Sequence, residues 1–230
     1  MGAEWFLVIS TLFLAFVALF KDSILQYIFK PNIDIKFDLS SSDCYQNELQ
    51  QVEKGKAIDT INFFKYRLRI INKGARPAKN VEVIIQDIMK KKGGNFYLID
   101  SFLSDNLNWN SFSLGPNTEA KIYYDFIFPD TFKHCELGHI LDPKKRYLIP
   151  SENNSKLPIQ IKDETIFSFN VARRYNNLYY LVAPGIYKIK VLVAGENFKS
   201  LEKEYEMEIT GKWSEDEDKM LNEGLKLKEI

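Results

Sequence analysis

The residues best equipped for chemistry stand together at His134-Cys135-Glu136 and His139. This short run holds both histidines of the chain and one of its two cysteines. Imidazole nitrogen, thiolate sulfur and carboxylate oxygen are all zinc ligands. One reading is a metal site; another is a Cys135 nucleophile with His134 or His139 as its base. The spacing argues against both. It is not H-E-x-x-H, which sets two histidines on one helix face, and Gly138 and the preceding Pro129 disfavour a helix. In an extended segment His134 and Glu136 point one way and Cys135 the other. Nothing nearby supplies an oxyanion hole or a third group to orient a base. The expectation is a rim loop in which Cys135 and Leu137 pack inward. No residue is assigned as catalytic, cofactor-binding or metal-ligating.

Other candidates are weaker. Lys144-Lys145-Arg146, Arg173-Arg174 and the Lys90–Gly94 run (KKKGG) are small basic clusters. They read as solvated loop charge, with contact to anionic lipid headgroups as the alternative. Trp109 and Tyr179-Tyr180 could present a sugar- or peptide-binding platform, but they read first as packing aromatics. The chain has no Gly-rich phosphate loop, no triad motif and no paired-carboxylate pattern. Lys+Arg and Asp+Glu are equal at 31 each, so nothing supplies the basic field that nucleic acid demands.

Whatever these side chains do is positioned by a membrane tether. Trp5–Phe20 (WFLVISTLFLAFVALF) carries no charge, and Ser10 and Thr11 are its only polar side chains. This predicts one transmembrane helix contacting the lipid bilayer through residues 5–20. Sixteen residues at about 1.5 Å each give about 24 Å, against a hydrocarbon core of about 30 Å. Lys21 can reach the headgroups from below the interface, and Ile24–Phe29 can continue as an interfacial turn. A cleaved signal peptide would want a positive charge ahead of the apolar run, where only Glu4 stands. A core helix would show a polar face. Lys21, Lys30 and Lys36 follow the segment, and the positive-inside rule then puts the large domain in the cytoplasm of a single-pass membrane protein. Two cysteines, Cys44 and Cys135, are too few for a disulfide-stapled secreted module, though they could form one bridge. The sequon at Asn153 matters only in a secretory compartment.

Past Pro31 the pattern turns to strands. Asn32–Leu39 alternates, with Ile33, Ile35, Phe37 and Leu39 on one face. Ser40–Thr60 is polar and reads as a long loop, with a helical turn near Asn47–Glu53. Ile61–Asn72 and Asn80–Asp87 read as strands joined in a hairpin-like unit by the Gly- and Pro-punctuated Asn72–Lys79. Asn95–Leu103 reads as a strand. So does Thr118–Phe128, with Ala120, Ile122, Tyr124, Phe126 and Phe128 on one side. Leu114–Asn117 and Asn176–Asn177 read as turns, and Pro129–Pro158 as an irregular insertion. Glu164–Ala172 is a further strand. Tyr187–Ala194 and Leu201–Thr210 form a last hairpin. Ser214–Glu217 is a capping box that opens a short helix ended by Gly224, and Leu225–Ile230 alternates like an edge strand.

The run YRLRIINKGARPAKNVEVII resembles the strand–turn–strand of bacterial immunoglobulin-like modules of the CARDB type, in which V-x-N-x-G-x-x-A-x-N-V-x-V joins two sandwich strands. The resemblance covers about 20 residues. It implies a β-sandwich of a kind usually found outside the cell, and it carries no catalytic residues.

The expected fold is therefore mainly β: an antiparallel immunoglobulin-like β-sandwich over residues 31–212, interrupted by an insertion at about 129–158. One N-terminal transmembrane helix with an interfacial extension (1–30) precedes it, and a C-terminal helix and tail (213–230) follow. The expected function is a membrane-anchored interaction or scaffolding protein that binds a protein partner without catalysis and without nucleic acid. The alternatives are a surface-facing ligand- or cell-wall-binding module, and a metal- or cysteine-dependent enzyme built on residues 134–139.

Overall fold

The computed structural model describes residues 2–39, 42–53, 56–110, 119–149, 152–153, 157, 159–174 and 178–230. The Leu114–Asn117 and Asn176–Asn177 turns and two residues of the Asn153 sequon lie outside them. Among the described residues the elements are α1 (Gly2–Ile28), β1 (Ile33–Lys36), β2 (Cys44–Glu53), β3 (Lys56–Asn72), β4 (Ala78–Lys92), β5 (Asn95–Leu98), β6 (Asp105–Asn106), β7 (Tyr123–Ile127), β8 (Thr131–Leu141), β9 (Phe167–Phe169), β10 (Leu181–Val182), β11 (Gly185–Ala194), β12 (Leu201–Ile209), α2 (Glu217–Glu223) and β13 (Leu225–Glu229).

The strands form two antiparallel sheets. The first runs β1-β3-β8-β9-β10, with β2 also paired to β3. The second runs β13-β12-β11-β4-β5, with β6 and β7 also paired to β4. Their apolar faces meet in one core. Phe64, Tyr66, Leu68 and Ile70 come from β3, Val81, Val83, Ile85 and Ile88 from β4, and Tyr187, Ile189, Val191 and Val193 from β11. Two-residue periodicity on long strands puts every second side chain there. The protein is thus mainly β, with the layered architecture of a sandwich.

Several expectations need correction. β3 and β4 do not form a hairpin, because they belong to opposite sheets. Residues 73–77 are an arch between layers, and Asn72 braces it. The buried Asn72 amide donates to Arg76 O (2.6 Å) and Ile127 O (2.9 Å), and its Oδ1 accepts from Asn32 N (3.2 Å) and Gly74 N (3.0 Å). Residues 44–53 are not a loop with a helical turn but the strand β2, which pairs along β3. The insertion is shorter than 129–158, since its first part is the strand β8. Within the described residues 119–128 strand structure is confined to β7, and Ile127 is its core residue, while Ile122, Phe126 and Phe128 are exposed. The strand within Glu164–Ala172 is only Phe167–Phe169, and that within Asn95–Leu103 ends at Leu98. Asp216, not Ser214, caps α2 by accepting from Lys219 N (2.8 Å).

The helix expected over 5–20 is present and longer, at 27 residues. Its apolar side chains from Trp5 to Phe20 are exposed on every face. Among the described residues no helix is long and apolar enough to cross a membrane. The uncharged run is short by the arithmetic above, and Lys21 ends it.

Candidate functional site

β8 carries the whole His134–His139 cluster in its extended backbone. A bulge decides where each side chain goes. Glu136 pairs with Arg67 and Gly138 with Tyr66, which leaves Leu137 as the extra residue. Regular alternation would send Glu136 and His139 to opposite faces; one inserted residue restores them to the same one. His134, Glu136 and His139 therefore all sit on the outer face of the first sheet. Cys135, Leu137 and Ile140 join the core. Gly138 is required here, because a Cβ would lie 2.3 Å from Ser168 O on the neighbouring strand.

The three outward groups do not converge. Each is consumed by a different partner. His134 Nε2 donates to Asp43 Oδ1 at 3.1 Å, and Arg69 Nε reaches Asp43 Oδ2 at 2.9 Å. The Asp43 carboxylate is wholly buried and also accepts from Asp38 N. Burial, together with the Arg67 charge, pushes the His134 ring below its usual range and outweighs the pull of Asp43. Glu136 pairs with Lys65 at 3.0 Å, both side chains being buried. His139 Nε2 donates to Glu152 Oε1 at 2.9 Å.

Glu152 is the centre of the second knot. Ser168 Oγ donates to the same Oε1 at 2.9 Å, and Arg174 Nη1 lies 3.9 Å away. Burial pushes the Glu152 carboxyl up, but His139, Arg174 and Ser168 more than offset it and hold it below the usual carboxylate range. Ser, His and Glu are all present, yet not in series. A triad passes a proton from Ser to His, with the acid behind the His; here Ser168 and His139 address one carboxylate oxygen side by side. Beside this knot Ile61, Phe63, Leu141 and Ile149 form a small apolar cluster. Arg146, fully buried, donates to Glu164 O at 2.6 Å. Ile149 and Glu152 thus pack against the outer face of the first sheet.

This geometry bears on each chemical reading. Among the described residues no three His, Cys, Asp or Glu groups are placed to hold a metal ion. Cys135 is fully buried and burial raises its thiol well above the ordinary range, which suppresses the thiolate that a nucleophile needs. Cys44 and Cys135 are free, so the single possible bridge is not made. The basic clusters are also taken up. Lys145 Nζ pairs with Asp59 at 2.9 Å, Arg146 is buried, and the Arg174 guanidinium lies over the Tyr180 ring. Both Lys144–Arg146 and the Gly93–Gly94 turn lie at the end of the sandwich away from α1. Trp109, Tyr179 and Tyr180 are packing residues, with Tyr179 Oη donating to Asp105 Oδ2 at 2.6 Å.

Sequence reasoning missed Asp43, Lys65, Glu152 and Ser168, which lie in four separate segments and carry no local signature. It also missed the edge of β7. Among the described residues that strand pairs with β4 alone, and the exposed Ile122 and Tyr123 stand at its start. β13, the edge strand at the opposite side, is guarded by the exposed Lys226 and Lys228, the usual protection of a sheet edge.

Compared with known proteins, the chain matches no family model, no curated protein and no solved structure.

Proposed function

We propose that the protein is a membrane-tethered interaction module, with α1 inserted in the lipid bilayer as a single pass and the sandwich holding a protein partner without catalysis. The observation that carries this reading is the exposure of apolar side chains all round α1. An interfacial helix would keep a polar face, and this one has none between Trp5 and Phe20. The shortfall in length is of a size that local bilayer thinning and a snorkelling Lys21 accommodate. Lys21, Lys30 and Lys36 on the sandwich side support a cytoplasmic sandwich. The resemblance carried by YRLRIINKGARPAKNVEVII supports an immunoglobulin-like arrangement, and that stretch does link strands of two facing sheets.

For the partner, the edge of β7, which pairs only with β4 among the described residues, supports strand addition by an extended peptide segment. The clusters on β8 support a bracing role, since each polar group there is occupied by a neighbour.

The test has two parts. The full chain, reconstituted with vesicles, should float with them and resist alkaline extraction. Asn95→Cys places a reporter at the exposed start of β5, and the native thiols are buried. In intact cells this reporter should stay unlabelled by an impermeant reagent and react after lysis. Labelling in intact cells would favour the outward-facing ligand-binding reading. A photo-crosslinker at Tyr123 should capture a partner that the same group at Lys228 does not; equal capture at both would end the β7 assignment.

A further inference from the structure

Four chain segments meet at the end of the sandwich where α1 stops. Asn72 is in register with both Ile33 of β1 and Thr131 of β8, which brings the start of β1, the arch and the β7–β8 turn to one end of the first sheet. Lys73 N donates to Asn32 O (2.8 Å) and Ala75 N to Lys30 O (3.3 Å), so the arch is laced to the helix exit. Asp130 N donates to Asn72 O (2.8 Å). Asn197, in the β11–β12 turn, accepts from Lys79 N (3.0 Å) and donates to Pro77 O (2.9 Å).

The surface of this end combines two kinds of side chain. Phe29, Phe128 and Phe132 are 44%, 57% and 48% exposed, values unusual for phenylalanine. Beside Phe29 a cavity of about 510 Å³ is lined by Lys30, Arg76 and Lys79 against a single acid, Glu196. Glu196 accepts from Asn80 Nδ2 at 2.5 Å, and Asp34, also at this end, is paired with Lys73 at 2.6 Å and Lys203 at 3.1 Å. Aromatic rings at the level of the headgroups and long cations that reach phosphate are what a bilayer interface selects.

We propose that this end of the sandwich docks on the anionic headgroups of the membrane that holds α1, through Phe29, Phe128 and Phe132 and the cations Lys30, Arg76 and Lys79. The proposal rests on the tether reading above. Continuity fixes the occupant. Only residues 29–32 separate α1 from β1, and the arch is hydrogen-bonded to that short segment, so the surface nearest this end is the bilayer itself. Charge complementarity fixes the lipid class, because at the cavity a phosphate or serine carboxylate would meet Lys30, Arg76 and Lys79 against Glu196, which is already engaged, and the exposed Asp130 of the β7–β8 turn is not among the residues that line it.

The experiment uses the full chain reconstituted in vesicles of phosphatidylcholine alone, or of phosphatidylcholine with phosphatidylserine. Native Cys44 and Cys135 are buried, so a fluorophore can be directed to Ala75→Cys in the arch or to Asn95→Cys beyond the far end of β4, about 45 Å away along a 15-residue strand. Nitroxide-bearing lipid reports proximity by quenching. Quenching is expected at position 75 and not at 95, and it should strengthen when phosphatidylserine is present. In the double variant Arg76→Glu/Lys79→Glu the phosphatidylserine-dependent part of the quenching should be lost, while flotation of the vesicle-bound chain is unchanged. A chain that floats but shows no quenching at 75 keeps the tether and overturns the docking. Quenching at 75 that ignores both phosphatidylserine and the charge reversals overturns it too, because nearness to α1 alone would explain it. A chain that does not float removes the tether, and the docking with it.

Discussion

His139 and Glu152 lie 13 positions apart and meet at 2.9 Å, with each side chain only 1% exposed. A hydrogen bond so deeply buried ties Glu152 to β8. A buried carboxylate is costly to leave without its partners, so Glu152 matters most through the groups that satisfy it, Ser168, Arg174 and His139. Glu152→Ala should lower unfolding stability by about 3–5 kcal/mol, the range for breaking a buried pair. Glu152→Gln keeps an acceptor and should cost less. Urea unfolding of the full chain in detergent reads both.

Acid should unfold the protein in two stages. The His134 ring is held below its ordinary value, so on falling pH the unfolded chain takes up this proton first. Stability begins to drop near pH ~6.5 and stops dropping from this source once the folded ring has titrated. Glu152 is also held low. Its contribution is complete above the unfolded carboxylate value of about 4.3 and is lost as pH falls through the lower folded value. In a pH series of unfolding curves, His134→Gln should remove the first stage, and Glu152→Gln should flatten the second.

The arch tolerates little change. A Cβ on Gly74 would lie 2.3 Å from both Asn32 N and Lys30 O, and backbone atoms cannot turn aside. Gly74→Ala should therefore cost about 1–3 kcal/mol. Asn72→Ala strips partners from two carbonyls and two amides at once and should cost at least about 1–3 kcal/mol. Thermal unfolding of each variant decides.

Neither native thiol should react while the protein is folded. Cys44 and Cys135 are both fully buried, and burial pushes both thiols upward. A chromogenic thiol reagent should report none in buffer and both in denaturant. Reaction of either in the native state would contradict the placement of β2 or β8.

A charge in the middle of α1 should detach the protein. Phe13→Lys places an ammonium at the centre of the uncharged run, at a cost of about 2.5–3.5 kcal/mol for insertion. Vesicle flotation should fall, and the near-ultraviolet dichroism of the sandwich should remain.

Where one face of a strand is apolar and the other wet, the sequence was readable. β1, β11 and β12 show it: Ile33 and Ile35, then Tyr187 to Val193, then Tyr205, Met207 and Ile209 alternate and are buried. β2 was opaque because CYQNELQQVE has almost no apolar stripe, and what makes it a strand is its pairing with β3. β8 was opaque for the opposite reason. Both its faces are covered, so Cys135, Glu136, Leu137 and His139 are all buried, and the bulge at Leu137 breaks the period. The polar knots were illegible because their members come from distant segments: Asp43 meets His134, Lys65 meets Glu136, and Glu152 meets Ser168. The hairpin reading of β3 and β4 failed because a Gly-Pro turn looks the same whether it reverses a chain within a sheet or carries it between sheets.

The four residues between α1 and β1, already laced to the arch, also govern reach. A flexible linker would let a tethered domain sweep a volume whose radius grows with the square root of its length. This chain has no such allowance. On the tether reading, the sandwich stands at a nearly constant height and tilt, and its encounters become a search in two dimensions. A partner on the same surface then meets β7 at one elevation, and effective concentration is set by membrane area rather than by cell volume.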